Sequence, residues 1–245
     1  MWNWRGRMTC WSGRWRNWMA ENYHAHARMA SVVTALAGRI DRLAAGRAVK
    51  SINEVLRAYA NTLTRWVVDA ANGNMTAGAF TQQMTNELGT DSIAVYQEGM
   101  REGGIKDPAQ EMDETDGEAI DNWLSSQVAY VAEFAADAVA VNKLSGDERT
   151  AARGVMLDRV AVWAQALESL GRIGAANSQG NMPGTWQFGD TEHCDTCAGL
   201  DGQRHRLKWF ISKGYIPRQP GSDTLECHGY NCACQVVSDD GERLL

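Results

Sequence analysis

Cys194-Asp195-Thr196-Cys197-Ala198-Gly199 and Cys227-His228-Gly229-Tyr230-Asn231-Cys232-Ala233-Cys234 hold five of the six cysteines in this 245-residue chain. Twenty-nine residues separate Cys197 from Cys227. Thiolates are soft donors, and a C-x-x-C turn aims two of them at one point, so a second cluster can complete a tetrahedron around Zn²⁺. Gly199 is expected to let backbone N–H groups approach the first pair of sulfurs. The second cluster offers more donors than the two places require, because Cys227, His228, Cys232 and Cys234 compete for them. The reading is one structural zinc site with its ligand set open. No secretory signal is visible, so the expected compartment is reducing, which argues against a disulfide framework. A thioredoxin-like pair would need the C-x-x-C to open a helix inside a β-α-β unit, and no such pattern is expected here.

Upstream of this stretch the pattern is helical. Met29, Val33, Leu36, Ile40 and Leu43 form one apolar stripe. Ile52, Leu56, Tyr59, Leu63, Trp66 and Ala70 form another, which Asn72-Gly73 should end. Thr76 to Met100 reads as helix broken near Gly89, with Asp91 restarting it, and Gly103-Gly104 closes it before Pro108. Asp107 to Asp121 carries seven carboxylates and no base. Such a block is expected to be a solvated loop or helix start rather than a catalytic pair, with Thr115-x-x-Glu118 as a capping box. Ile120, Leu124, Val128, Val131, Ala135 and Val139 share the face of the next helix. Ser145-x-x-Glu148 is a second capping box, opening a helix lined by Met156, Val160, Trp163, Leu167 and Leu170. About five long amphipathic helices are expected in all, each needing a partner for its stripe, so a bundle or an elongated helical array should form.

After Gly171 the composition shifts. Gly174, Gly180, Pro183 and Gly184 are expected to break the helical period. The apolar pieces Trp186-Gln187-Phe188, Leu207-Lys208-Trp209-Phe210 and Val236-Val237 read as short strands or turns rather than helices. The predicted organisation is mainly α: a Trp/Arg-rich segment at 1–18, a helical domain at 19–176 and a small Cys-rich α+β module at 177–245. Few large apolar groups serve that module, and structural zinc, contributing on the order of 10 kcal/mol, would close the gap.

The segment 1–18 carries Trp2, Trp4, Trp11, Trp15 and Trp18 with Arg5, Arg7, Arg14 and Arg16 and no acid. That composition suits partner docking, against the ordinary reading of an untethered terminus. His24 and His26 have no second ligand cluster nearby and read as solvated helix-face side chains. The net charge of -6 argues against a globally basic nucleic-acid binder. No membrane span is expected, since even Val128 to Val141 is interrupted by Glu133 and Asp137. A soluble intracellular protein, or part of a particle assembled inside the cell, is the expectation. Neither a Ser/His/Asp set nor a phosphate-cradling glycine loop is apparent. Glu192, Asp195 and Glu226 lie near the cysteines without an H-x-E or H-E-x-x-H signature. A thiolate-saturated site suits structure rather than catalysis, so no enzyme is expected.

Trp186-x-Phe188, Cys194-x-x-Cys197-x-x-Leu200-Asp201-Gly202, a Pro/Gly-rich loop and a closing Cys232-x-Cys234 together resemble the tailed-phage head morphogenesis family, the minor head proteins similar to protein F of phage Mu. The resemblance covers roughly residues 186 to 236. This sequence departs from that pattern in having Cys227 just upstream, no Pro after His228, and Ala233 in place of Arg. Cys227 therefore competes with His228, and the preferred ligands are Cys194, Cys197, Cys227 and Cys232, with Cys234 the leading substitute. Cys232 and Cys234, two apart on an expected strand, would face one side. The resemblance implies a minor capsid protein, located in the phage head and in the host cytoplasm during assembly. It would contact the portal or major capsid protein and have no enzymatic step of its own. Arg204, Arg206, Lys208, Lys213 and Arg218 could face an acidic portal surface or packaged DNA. The competing reading is a zinc-ribbon-like nucleic-acid-binding protein using the same basic run.

Overall fold

The computed structural model describes residues 51–180, 182–191, 193–230 and 232–245. The segment 1–18, His24, His26 and the stripe from Met29 to Leu43 lie outside the described residues.

Helix α1 (Ile52–Ala71) starts at a reciprocal cap, in which the Ser51 hydroxyl accepts from the Glu54 amide and the Glu54 carboxylate accepts from the Ser51 amide. It ends at Asn72, and Gly73 takes the left-handed conformation (φ 79°) that follows. Arg149 donates to the Ala71 carbonyl at 2.6 Å and to the Asn72 side chain at 3.0 Å, so a residue of a distant helix satisfies this C-terminus. Helix α2 (Ala77–Glu102) is continuous, and the expected break at Gly89 does not occur. A helical glycine costs about 1 kcal/mol relative to alanine, and burying Leu88, Ser92, Val95 and Tyr96 on one face outweighs that.

A single turn, α3 (Pro108–Glu111), leads into α4 (Glu114–Ala140). The acidic block does open this helix, but the cap is Asp113 with Asp116 rather than Thr115 with Glu118. Each aspartate side chain accepts the other's amide at 3.1 Å. A 3₁₀ turn, Val141–Lys143, then connects to α5 (Gly146–Gln179). Ser145 occupies the N-cap of α5 without making a side-chain cap bond, so the expected capping box there is positional only. Met156, Val160, Trp163, Leu167 and Leu170 are all buried.

Among the described residues the four long helices contact one another in every pairing and form a bundle. Each contributes one ring to a continuous aromatic row. Trp66, Phe80, Phe134 and Trp163 stand 6.0, 5.6 and 5.8 Å apart between successive centroids. Gly171 and Gly174 do not break α5. They let α2 approach backbone to backbone: a Cβ on Gly99 would lie 1.9 Å from the Gly171 carbonyl oxygen, and one on Gly174 would lie 2.4 Å from that of Tyr96. The Tyr96 hydroxyl locks the same seam, donating to Asp116 at 2.6 Å and accepting from Asn177 at 2.8 Å.

Beyond Gly180, β1 (Pro183–Gln187) is the centre of a three-stranded antiparallel sheet, between β2 (Arg204–Arg206) and β3 (Gln235–Val237). Two short helices accompany it, α6 (Asp195–Leu200) and α7 (Leu207–Ser212). The segment Leu207–Phe210 is thus helical, contrary to expectation. Leu207 and Phe210, three apart, both enter the core, a spacing that a strand would split between two faces. Trp186, Leu200, Leu207, Phe210, Leu225 and Val236 form this core, and Ala176 of α5 joins it. Further ties reach the bundle: Gln127 donates to the Pro220 carbonyl at 3.1 Å and Gln165 to that of Arg218 at 3.3 Å.

Candidate metal centre

Cys194 is the N-cap of α6, and its sulfur accepts the Cys197 amide at 3.4 Å. The short helix then carries Cys197 inward, where it is 1% exposed. The C-x-x-C does open a helix, but the accompanying sheet is antiparallel and no β-α-β unit surrounds it. Cys227 sits in a turned loop, whereas Cys232 and Cys234 lie in the extended approach to β3 and are both buried.

All five are free thiols, and they fall into two triads: Cys194, Cys197 and Cys227, and Cys197, Cys232 and Cys234. Within each triad the three sulfurs lie within 4.8 Å of one another. Two sulfurs bound to one zinc at about 2.3 Å cannot be further apart than about 4.6 Å, so each triad has roughly the span of a ligand set. Cys232 thus groups with Cys234, not with Cys194 and Cys227 as the preferred set had it. His228 belongs to neither triad: its backbone is left-handed (φ 50°) and its Nδ1 is 2.9 Å from the Ser222 carbonyl oxygen.

His193 is a donor that sequence reasoning missed. Its Nδ1 is 3.6 Å from the Cys234 sulfur, and its ring stacks on Phe188 at 3.7 Å between centroids. Its adjacency to Cys194 is the one signal the sequence offers for it. Of the acids near the cluster, Glu226 accepts the Asp195 amide at 3.0 Å, and Glu192 lies outside the described residues.

Two glycines, neither of them Gly199, bring backbone amides to sulfur. The Gly189 amide donates to Cys234, and a Cβ there would lie 2.2 Å from the Ala233 carbonyl oxygen. The Gly229 amide donates to Cys227, and a Cβ there would lie 1.8 Å from the Gln219 carbonyl oxygen. Gly199 faces open space.

Burial and thiol neighbours shape the protonation of the cluster. Burial, with the sulfurs of Cys194 and Cys234 beside it, raises the Cys197 thiol far above its ordinary range. Burial also pushes Cys227 up to about 11 and raises Cys234, in each case against an amide that favours the thiolate. Cys194 goes the other way. Burial opposes its ionisation, but the amides and thiols of Cys197 and Cys227 together lower it. A divalent cation would replace these protons, and five clustered sulfurs held by amides and a packed core suit it.

The basic run is dispersed in role. Arg204 pairs with Asp239, while Lys208 and Lys213 are exposed. Arg218 is half-buried, with its carbonyl engaged by Gln165. Thr196, Gly199 and Gln203 with Trp209, Lys213 and Tyr215 line a shallow open cleft beside α6. No helix among the described residues is long and apolar enough to cross a membrane.

Fold and site define a mainly helical protein with a small strand-containing C-terminal region whose cysteines cluster within metal-binding distance. No family model matches the sequence, and no curated protein or solved structure is significantly similar to it.

Proposed function

We propose that this protein is a structural assembly component, a minor head protein of a tailed phage, and that zinc fastens its C-terminal module. The observation that carries the structural half is the thiol cluster. It joins α6, the Cys227 loop and the approach to β3 around a core of few large side chains, with sulfur filling the coordination positions a reactant would need. Zinc is preferred because it is a borderline-soft ion that clustered cysteine thiolates bind well. The setting in a phage head rests on the sequence resemblance, and the motif residues behind it have structural work to do. Trp186 is fully buried at the centre of the small core, Leu200 packs beside it, and Asp201 accepts the Phe188 amide at 3.1 Å. In this reading the bundle and module dock to the portal or the major capsid protein, and the exposed Lys208 and Lys213 supply part of the complementary charge.

Two measurements test it. Purified protein should contain zinc, and stripping it should unfold the C-terminal module while sparing most helicity. Co-expressed with its neighbouring genes, the protein should co-purify with a portal or be present at low copy in particles. Particles that lack it, alongside free protein, would defeat the head reading. Tight, salt-sensitive DNA binding by the full chain, lost on substituting Lys208 and Lys213, would favour the nucleic-acid-binding alternative.

A further inference from the structure

We propose that the cluster holds two metal ions rather than one, bridged by the Cys197 thiolate; this rests on the metal-binding reading above. The five sulfurs do not gather into one group of four. They form two triads, and Cys197 alone belongs to both. One ion per triad accounts for every sulfur, whereas one ion in total leaves at least one cysteine without a role.

The ligand supply differs between the two positions. Beside Cys234 of the second triad stands His193, with Nδ1 3.6 Å from the Cys234 sulfur. A nitrogen at about 2.0 Å and a sulfur at about 2.3 Å on one tetrahedral zinc are separated by about 3.6 Å. His193 is exposed and lies outside the triad as it stands, and a turn of its ring toward Cys197 and Cys232 would complete a Cys₃His position. The other position has Cys194, Cys197 and Cys227, and its outer two sulfurs are only half-buried. These two sulfurs stand nearer solvent than the buried trio, so this ion is the more exchangeable.

Charge favours the same arrangement. Five thiolates around one divalent ion carry three uncompensated negative charges, or else leave a sulfur protonated. Around two divalent ions they carry one. Removing two charges from a largely buried cluster offsets much of the desolvation that thiolates there would otherwise suffer. A shared cysteine is needed because seven places (five sulfurs, one counted twice, and one imidazole) then come from six side chains.

The test is metal stoichiometry on the purified full chain. Zinc per chain is measured by mass spectrometry of the element. Metal-free protein is then titrated with cobalt(II) and followed through its thiolate charge-transfer and ligand-field bands. Two ions per chain are expected, with the second cobalt leaving more easily. Cys194→Ser should hold one, His193→Ala should weaken the tighter of the two, and Cys197→Ser should lose both while circular dichroism still reports the helices. One ion per chain, or complete metal loss in Cys194→Ser with the helices intact, overturns the bridged pair and leaves the single-metal reading standing. No bound metal at all defeats both.

Discussion

Gly189→Ala isolates how the backbone holds the sulfurs. The backbone at Gly189 is not left-handed, so alanine can adopt it, and only the new methyl matters. That methyl would lie 2.2 Å from the Ala233 carbonyl oxygen and 2.3 Å from the Ala233 Cβ, where ordinary contact begins near 3.4 Å. The segment must therefore retreat by roughly 1 Å, and overpacking of this kind costs about 1–3 kcal/mol. Ala233 sits between Cys232 and Cys234, so the retreat carries two sulfurs with it, although ligand distances tolerate only about 0.2 Å. It also pulls the Gly189 amide from the Cys234 sulfur, and losing such a supporting bond typically costs about 10–100-fold in metal affinity. Competition against a chromophoric zinc chelator measures that loss, with far-ultraviolet circular dichroism as the control for the bundle. Gly199→Ala is the matched comparison, because its methyl meets nothing within 4 Å and should leave affinity unchanged. Wild-type affinity in Gly189→Ala, or an equal loss in Gly199→Ala, would refute the reasoning.

Three further outcomes are expected. Gly99→Ala places a methyl 1.9 Å from the Gly171 carbonyl oxygen and should lower the unfolding free energy of the bundle, read by urea titration, by the upper end of the about 1–3 kcal/mol overpacking range. Tyr96→Phe strips Asp116 and Asn177 of a shared partner and should cost about 1–3 kcal/mol in the same assay. Metal-free protein should lose stability as pH rises. Cys197, Cys227 and Cys234 hold their protons more tightly than ordinary thiols, so above pH about 9 the unfolded chain releases protons that the folded one keeps, through about 11 for Cys227. Metal-loaded protein should do the reverse, losing stability on acidification as protons compete for the bound thiolates. Denaturant midpoints of both forms, followed from acidic pH up through that range, distinguish the two.

The helices were legible wherever an apolar stripe was long. Ile52, Tyr59 and Leu63 in α1 and Met156 to Leu170 in α5 are buried as their spacing required. What misled was glycine. Gly89 and Gly174 read as breaks because intrinsic propensity is local, whereas a glycine's place in a helix is decided by the neighbour that packs on it. For Gly171 and Gly174 that neighbour is α2, a hundred or fewer residues away in sequence and touching in space. Leu207–Phe210 failed for a related reason: three apolar residues and a lysine are too short a stretch to carry a period, and burial of its first and last members settled it as helix.

The metal site shows the same division between local and long-range information. Five sulfurs were visible as five letters, but their partition around Cys197 depends on how α6 and the approach to β3 fold together, which spacing alone does not encode. The glycine given a role from sequence, Gly199, was chosen for lying inside the knuckle. The glycines with that role, Gly189 and Gly229, come from the segment after β1 and from the loop beside Cys227. Each is fixed by a crossing chain, Ala233 in one case and Gln219 in the other. The centre is therefore not a C-x-x-C knuckle to which a second pair of ligands is added. It is a crossing of three backbone segments, with amides directed at sulfur where no side chain fits. A metal there would stabilise the crossing itself, which is why its removal should loosen the sheet, α6 and the Cys227 loop as one unit while the aromatic row from Trp66 to Trp163 keeps the bundle intact.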